Sequence, residues 1–343
     1  MIVSPASDNV LEIDDLHVHF RTRLGVVRAV SGVTLAVPRG RVLGVVGESG
    51  CGKSVMALAV MQLVPPPGEV VRGRITLQVP GREPVDVLRY GRNSQEMRAI
   101  RGDHVGMIFQ EPMTSLNPCY TVGEQIAEGI ILHQTPDRAE AEKRTVAILA
   151  RVGLPNAARL AHQYPHELSG GMRQRAMIAL ALSCRPGLLI ADEPTTAIDV
   201  TTQAQILDVM RELQSDFGMS ILFITHNLGV IAQMADEVAV MYLGRIVERA
   251  PVEALFEAPL HPYTRALLQS IPRFGSRQKS RLHVIAGSVP GSYTQVPGCP
   301  FHPRCPRAIR GVCNVRVPAL LPAAGGEVAC FLHHPPEQSY AAA

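Results

Sequence analysis

The sequence of 343 residues lacks the long apolar runs and internal repeats that mark several protein classes. No apolar run approaches the roughly 20 residues that a bilayer-spanning helix needs, so we expect no membrane span. Residues 1–15 show no basic start followed by an apolar block and a cleavage site, so we expect no secretory signal and a cytosolic chain. No repeat with a period of roughly 20 to 50 residues is apparent, which argues against solenoids and propellers.

The chain also has little net charge. It carries 33 basic and 30 acidic residues, without a Lys/Arg-rich run of five or more, so we expect no nucleic-acid partner. Apolar residues make up 46% and charged residues 18%, which is typical of a globular protein and excludes collagen, coiled coil and wholesale disorder. Lysine is scarce and occurs only at positions 53, 143 and 279.

Strand-like and helix-like segments alternate along most of the chain. Apolar patterning predicts strands at 11–20, 26–37, 42–46, 105–109, 188–191, 220–224 and 237–242. Helical periodicity is found at 55–64, 121–183, 201–217 and 262–271, and also between the strand at 220–224 and about residue 235. This order predicts an α/β fold whose parallel sheet carries a helical insertion at about 115–185. After residue 250 the alternation of strands and helices gives way to a short helical stretch and a Pro-rich, Cys-bearing tail. We therefore divide the chain into residues 8–275 and a C-terminal extension, residues 276–343.

A P-loop pattern follows the third predicted strand. Its eight residues are Gly47, Glu48, Ser49, Gly50, Cys51, Gly52, Lys53 and Ser54. The pattern lies between an apolar strand and a helix, which is the context that it requires. Glycines let backbone N–H groups surround phosphate oxygens, Lys53 reaches the terminal phosphates, and the Ser54 hydroxyl binds Mg²⁺. No Gly-x-Gly-x-x-Gly opens this helix, which disfavours a dinucleotide fold.

Two adjacent carboxylates end the strand at 188–191. Asp192 is placed to hold Mg²⁺ through water, and Glu193 is placed to orient or deprotonate a water in line with the terminal phosphate. Burying two such groups is costly unless they are used. A third candidate is the stretch Leu168, Ser169, Gly170, Gly171 and Met172, where a serine and two glycines suit a second phosphate contact.

These residues together resemble the ATP-binding cassette (ABC) family. Its Walker A, Q-loop, signature, Walker B, D-loop and switch motifs match residues 47–54, Gln110, 168–172, 188–193, 197–199 and His226, in family order. The resemblance implies a P-loop NTPase with a RecA-like parallel or mixed sheet, an antiparallel β subdomain and an inserted helical subdomain. It also implies that His226 contacts the terminal phosphate and that Gln110 is a Mg²⁺-linked hinge to a membrane partner. Signature residues close over ATP held by a second subunit, so a dimer is implied.

The sequence departs from the family in two places. Family members usually stack adenine on an aromatic residue in the early β segment, but residues 24–28 contain none, and Phe20 is not clearly in register. We therefore expect adenine to contact aliphatic groups there, with weaker base selectivity. In the D-loop, Ile198 replaces the usual leucine before Asp199, a near-isosteric change with little expected consequence.

Four cysteines crowd the last 45 residues: Cys299, Cys305, Cys313 and Cys330. The two-residue spacings that zinc prefers are absent, and disulfides are not expected in a reducing cytosol. Four thiolates in a Pro-rich loop suit a [4Fe–4S] cluster, while zinc and unligated thiols stay open as alternatives. His302, His333 and His334 are close enough in sequence to be rival ligands.

The C-terminal residues sharpen the resemblance. Segments 261–268 and 297–306 look like the extension of the oligopeptide/dipeptide importer subfamily, which also includes nickel importers and in which some members carry an iron–sulfur cluster. The resemblance implies an ATPase that energises import of di- or oligopeptides. It also implies a location at the cytoplasmic face of the inner membrane, with a second homologous ATPase, two transmembrane permeases and an external solute-binding protein as partners.

Three other functions stay open. The same subfamily allows nickel or another solute as cargo. A soluble ABC ATPase acting on nucleic acid or ribosomes is disfavoured, because such relatives join two cassettes or carry a long coiled coil. A nucleotide-dependent iron–sulfur scaffold would use the cysteines to transfer a cluster to an acceptor, whereas in an importer the cluster should stay in place.

Overall fold

The computed structural model describes residues 8–79, 81–110, 115–196, 198–271, 285–335 and 337. Its strands are β1 (Asn9–Thr22), β2 (Gly25–Pro38), β3 (Val42–Val46), β4 (Gly68–Leu77), β5 (Val85–Asp86), β6 (Val105–Ile108), β7 (Leu188–Asp192), β8 (Ser220–Thr225), β9 (Glu237–Tyr242), β10 (Arg245–Pro251), β11 (Leu321–Ala323) and β12 (Gly326–Val328). Its helices are α1 (Lys53–Val60), α2 (Gln95–Ala99), α3 (Val122–His133), α4 (Arg138–Arg151), α5 (Ala157–Leu160), α6 (Gly170–Leu182), α7 (Val200–Phe217), α8 (Leu228–Met234), α9 (Val252–Glu257) and α10 (Pro262–Gln269). Short helical turns lie at Val87–Arg89, Ile100–His104, Pro165–Glu167 and His302–Arg304.

The smaller sheet is antiparallel, with strand order β2-β1-β4-β5. Val18 on β1 is paired with Val30 on β2, and both side chains are fully buried. They belong to an apolar cluster that also contains Met56 of α1. This sheet is the predicted antiparallel β subdomain, and it is held against the helix that follows the P-loop.

The larger sheet is mixed, with strand order β11-β12-β10-β9-β3-β8-β7-β6. Strands β9, β3, β8, β7 and β6 are parallel, and β3, β7 and β8 are buried along their whole length. Such continuous apolar strands are typical of a parallel sheet covered on both faces. In register, Val46 pairs with Thr225 and Asp192 with Ile224, so the carboxyl ends of three strands meet at one edge.

The predicted helical insertion is formed by α3 to α6. Helix α3 begins in a capping box, in which the Thr121 hydroxyl accepts from the Glu124 N–H and the Glu124 carboxylate accepts from the Thr121 N–H. Ile126, Ile130 and Leu149 are buried in the same apolar cluster as the large sheet. The insertion therefore shares its core with the sheet that carries the P-loop.

One predicted helix is shorter than expected. Helix α1 ends at Val60 rather than at Val64, because Gln62 takes a left-handed conformation with φ of 49°. Its side-chain amide donates to the carbonyl oxygen of Tyr90 at 2.8 Å, which fixes the turn in place.

Part of the C-terminal extension joins the large sheet. Strand β12 pairs with β10, and Glu248 lies opposite Val328. Phe301 is 1% exposed and packs edge-on against Tyr242, with ring centroids 5.3 Å apart. The predicted boundary near residue 275 lies outside the described residues.

Candidate nucleotide site

The P-loop, residues 47–54, connects β3 to α1. A side chain at Gly47 would overlap the carbonyl oxygen of Met241, and one at Gly52, where φ is 104°, would overlap that of Ala29. Glycine is therefore required at both positions. The Lys53 side chain is buried and donates to the carbonyl oxygens of Gly47 at 2.8 Å and Glu48 at 3.1 Å. Its ammonium group thus lies within the loop, where a phosphate would need a cation.

A second pair of predicted residues lies where α1 meets β7. The Ser54 hydroxyl donates to Oδ1 of Asp192 at 3.0 Å. Asp192 is buried, and burial raises the pKa of its carboxyl to about 6, against a hydrogen bond from Ser54 that lowers it. The charge of Glu193 next to it adds to the rise. Hydroxyl and carboxylate oxygens are the ligands that Mg²⁺ prefers, and a divalent cation would offset the cost of ionising this carboxyl.

The Glu193 carboxylate contacts two of the predicted residues, His226 and Gln110, and also Thr196. Its Oε1 lies 3.1 Å from Nδ1 of His226, and its Oε2 accepts hydrogen bonds from Gln110 at 3.2 Å and from Thr196 at 2.9 Å. Burial acts to raise the pKa of Glu193, but the bonds from His226 and Thr196 outweigh it, so the pKa lies below its ordinary value. The carboxylate is ionised at neutral pH and can orient a water molecule.

The Glu193 backbone is held in an uncommon conformation. Its φ is 49°, in the left-handed region, and its N–H donates to the carbonyl oxygen of Ile224 on β8 at 2.8 Å. For a non-glycine residue this conformation carries a cost, and such residues cluster at functional sites. The bond to β8 brings Glu193 and His226 together, because His226 follows that strand directly.

The signature stretch, residues 168–172, lies at the start of α6. Ser169 caps α6, and its hydroxyl accepts from the Met172 N–H at 3.3 Å. A side chain at Gly171 would press against Thr202 of α7. Among the described residues, no hydrogen bond joins residues 168–172 to the P-loop.

The D-loop residue Asp199 caps α7 by accepting from the Thr202 N–H at 2.9 Å, and that bond lowers the pKa of Asp199. Ala197 of the D-loop and residues 111–114 after Gln110 lie outside the described residues.

The extension reaches the P-loop through an ion pair that the sequence did not reveal. Arg304 Nη1 donates to Oε2 of Glu48 at 2.8 Å and Nη2 donates to Oε1 at 3.1 Å. Arg304 also donates to the hydroxyl of Tyr242 at 3.3 Å. The N–H of Glu48 donates to the hydroxyl of Tyr263 on α10 at 3.0 Å. Glu48 is thus held by its side chain, its N–H and, through Lys53, its carbonyl.

The four C-terminal cysteines lie close to one another. Cys299, Cys313 and Cys330 are buried and Cys305 is half-buried. The N–H of Ile309 donates to Sγ of Cys313 at 3.3 Å, and the N–H of Cys299 donates to the carbonyl oxygen of Cys313 at 2.8 Å. Burial raises the pKa of Cys299 to about 12, and the other three thiols add to this rise. Within the described part of the chain, no group of three or more His, Cys, Asp or Glu side chains is placed to hold a metal ion.

Two of the predicted rival histidine ligands are engaged with the backbone. His302 Nδ1 lies 2.9 Å from the carbonyl oxygen of Cys299, and His333 Nε2 lies 3.1 Å from that of Leu260.

In the described ranges, no helix is long and apolar enough to cross a bilayer.

Comparisons with known proteins identify the chain's relatives. Residues 30–196 match the ABC transporter family and residues 247–313 match the oligopeptide/dipeptide transporter C-terminal region. The oligopeptide transport ATP-binding protein AppD of Bacillus subtilis is 48% identical over 326 residues, which cover 94% of this chain and 97% of AppD. The chain belongs to the ABC transporter family. The dipeptide transport ATP-binding protein DppD of Escherichia coli is 47% identical, over 91% of this chain and 92% of DppD.

Solved structures support the fold of this ABC transporter ATPase. The dimeric structure of MJ0796, a bacterial ABC transporter cassette, aligns with a TM-score of 0.62 and 24% identity, covering 71% of this chain and 98% of MJ0796. This alignment confirms the predicted α/β P-loop fold, and the family match together with AppD and DppD confirms the predicted family and ATPase class. The residue roles inside the site stay predictions.

One contact that positions this ABC ATPase's site gave no sequence signal. The side-chain amide of Gln174 on α6 donates to the carbonyl oxygen of Pro194, directly after Glu193. Gln174 is 2% exposed and lies two residues past the signature stretch. It links the signature helix to the turn that holds Glu193.

Proposed function

We propose that this chain is the ATP-hydrolysing subunit that energises import of di- or oligopeptides across the cytoplasmic membrane. The observation that carries the proposal is the meeting of Lys53, Ser54, Asp192 and Glu193 at one edge of a parallel sheet, in a chain whose C-terminal residues match the oligopeptide/dipeptide transporter region. AppD and DppD, whose names specify oligopeptide and dipeptide transport, support the choice of cargo.

The proposed residue roles follow from the geometry. Lys53 leaves the carbonyl oxygens of the loop and neutralises the terminal phosphates, and backbone N–H groups of residues 47–54 surround them. Ser54 and Asp192, already joined through their oxygens, would hold Mg²⁺, and the ion would neutralise the developing phosphate charge. The side-chain amide of Gln110 donates to Oε2 of Glu193 in this structure. Gln110 is the third proposed Mg²⁺ contact, and in this proposal its side chain leaves Glu193 when ATP binds.

Glu193 and His226 are the proposed catalytic residues. The ionised Glu193 carboxylate orients the attacking water and accepts its proton, while Thr196 and His226 keep the carboxylate in position. His226 is 57% exposed at its side chain, so it is free to face the terminal phosphate. Residues 168–172 and Asp199 are proposed to act on the ATP of a second ATPase subunit, which agrees with the absence, among the described residues, of a hydrogen bond between residues 168–172 and the P-loop of their own chain.

The proposed assembly contains a second, homologous ATPase, two permeases and an external solute-binding protein, with this chain at the cytoplasmic face of the membrane. The experiment is to tag the chain in its native host, solubilise the membranes gently and identify co-purifying proteins by mass spectrometry. Two multi-spanning proteins and a second P-loop ATPase are the expected result. Ribosomal proteins, nucleic acid or cluster-assembly factors without membrane subunits would contradict the proposal. A nickel-specific binding protein would change the cargo alone.

The [4Fe–4S] cluster is a separate proposal. Its support is the grouping of four cysteines in the extension, where the thiols of Cys305, Cys313 and Cys330 all raise the pKa of Cys299 and Sγ of Cys313 accepts a hydrogen bond from the Ile309 N–H. The cluster would be held by Cys299, Cys305, Cys313 and Cys330. Anaerobically purified protein should show a broad absorbance near 400 nm that Cys305→Ser loses. About one zinc per chain and no iron in elemental analysis would contradict this proposal.

A further inference from the structure

A cavity opens beside the P-loop and continues onto the C-terminal extension. Its volume is about 250 Å³. Its lining includes Ser49 and Gly50 of the P-loop, Arg28 and Ala29 of β2, and a stretch of the extension around Tyr293. The cavity therefore runs from the predicted phosphate site to residues more than 240 positions away in sequence.

The position of the cavity fits the nucleoside part of a bound nucleotide. Strand β2 borders the P-loop directly, since a side chain on Gly52 would overlap the carbonyl oxygen of Ala29. A nucleotide whose phosphates lie in the P-loop must extend its base outward from the loop. Pockets for drug-sized molecules measure about 300–1,000 Å³, so a cavity of 250 Å³ matches a smaller group such as a nucleoside.

Tyr293 gives this cavity an aromatic wall. Its hydroxyl lies 3.2 Å from Oγ1 of Thr22, and its ring contacts Gly25 at the tip of the β1–β2 hairpin. The residue is 47% exposed and lines the cavity, so part of its ring is available to a ligand. Val26, Pro290 and Val289 supply apolar surface in the same lining. Aromatic side chains that are fixed at one end and open on a face are the usual partners of nucleic-acid bases.

Phe20, the aromatic residue considered for this role from sequence, lies elsewhere. It packs with the apolar cluster behind the small sheet, and its ring fills the space over Gly68 beside Val64. It is not part of the cavity lining. In this cavity lining the early β segment supplies aliphatic groups, and the aromatic surface comes from the extension.

We propose that Tyr293 stacks on the base of the nucleotide bound by the P-loop of its own chain, so that the extension completes the ATP site. This inference rests on the proposed nucleotide function. Stacking of a base on an aromatic ring is sequence-tolerant, because every base has a π face. Tyr293 is therefore a determinant of nucleotide affinity, with little discrimination between adenine and guanine.

The test separates the base from the phosphates. Binding of a non-hydrolysable ATP analogue and of inorganic tripolyphosphate, each with Mg²⁺, is measured by titration calorimetry on the full chain. We expect Tyr293→Ala to weaken binding of the analogue by about tenfold and to leave tripolyphosphate within about twofold, because tripolyphosphate has no base. Tyr293→Phe keeps the ring and should stay within about threefold for both ligands. Tyr120→Ala, at a tyrosine that is 55% exposed and outside the cavity, is the matched control.

Three results would decide against the inference. Unchanged binding of the analogue by Tyr293→Ala would place the base elsewhere. An equal loss for the analogue and for tripolyphosphate would show that the tyrosine supports the fold of the loop instead. A loss in Tyr293→Phe as large as in Tyr293→Ala would assign the effect to the hydroxyl. Failure of the wild-type chain to bind either ligand would instead overturn the proposed function, so the two failures are distinguishable.

Discussion

Replacing Arg304 with methionine tests the link between the extension and the P-loop. The Arg304 side chain is 4% exposed and that of Glu48 is 25% exposed. Removing one partner of a fully buried ion pair costs roughly 3–5 kcal/mol, because the remaining charge is left uncompensated. Water reaches a quarter of the Glu48 side chain, so we expect Arg304→Met to lower the free energy of unfolding by about 2 kcal/mol. Methionine retains the apolar packing against Tyr242.

The assay is urea denaturation of Arg304→Met, Glu48→Gln and the double variant, arranged as a double-mutant cycle. The two charges contact each other directly, so the cycle should give a coupling energy of about 1–2 kcal/mol. Arg310→Met, at an exposed arginine in the same segment, is the control and should change stability by less than about 0.5 kcal/mol. A coupling energy below about 0.5 kcal/mol would refute the reasoning, because the two residues would then act independently.

Three further predictions concern the nucleotide site. Glu193→Gln should lower kcat for ATP hydrolysis by about 10²- to 10⁴-fold while ATP still binds, and hydrolysis at the wild-type rate would remove Glu193 from the mechanism. Lys53→Ala should weaken Mg–ATP binding by about 10- to 150-fold in titration calorimetry, whereas Lys143→Ala, at an exposed lysine on α4, should not change it. Because burial raises the pKa of Asp192 from 3.8 to about 6, the folded chain binds more protons than the unfolded chain between these values, and the free energy of unfolding falls as the pH rises through this window. Asp192→Asn should therefore stabilise the nucleotide-free chain at pH 8 by up to about 3 kcal/mol, with the difference vanishing below about pH 4, and equal stability of the two proteins at pH 8 would contradict it.

The elements that carry the site could be predicted because their signals are local. The P-loop is one uninterrupted pattern of eight residues between a strand and a helix, and Asp192 and Glu193 end a continuous apolar strand. Once a parallel sheet is expected, the carboxyl ends of β3, β7 and β8 must meet at one edge, which brings His226 to Glu193.

The contacts of the extension could not be predicted, because no local sequence pattern indicates which residues of the core they join. Arg304 and Glu48 are 256 positions apart, and neither lies in a pattern that names the other. Strands β11 and β12 have three residues each, too few for an alternating pattern to stand out. Strand β12 pairs with β10, which is more than 70 positions earlier in the sequence, so the pairing is fixed by the folded chain and not by a local pattern.

Peptide uptake in the native host tests the central claim most directly. The chromosomal copy is replaced by the Glu193→Gln variant, and uptake of radiolabelled dipeptides and oligopeptides is compared with that of the wild type and of a strain carrying Lys143→Ala. The account predicts that Glu193→Gln abolishes uptake of at least one peptide class while the chain is still present at the membrane, and that Lys143→Ala leaves uptake unchanged. Uptake of every peptide at the wild-type rate in the Glu193→Gln strain would contradict the account.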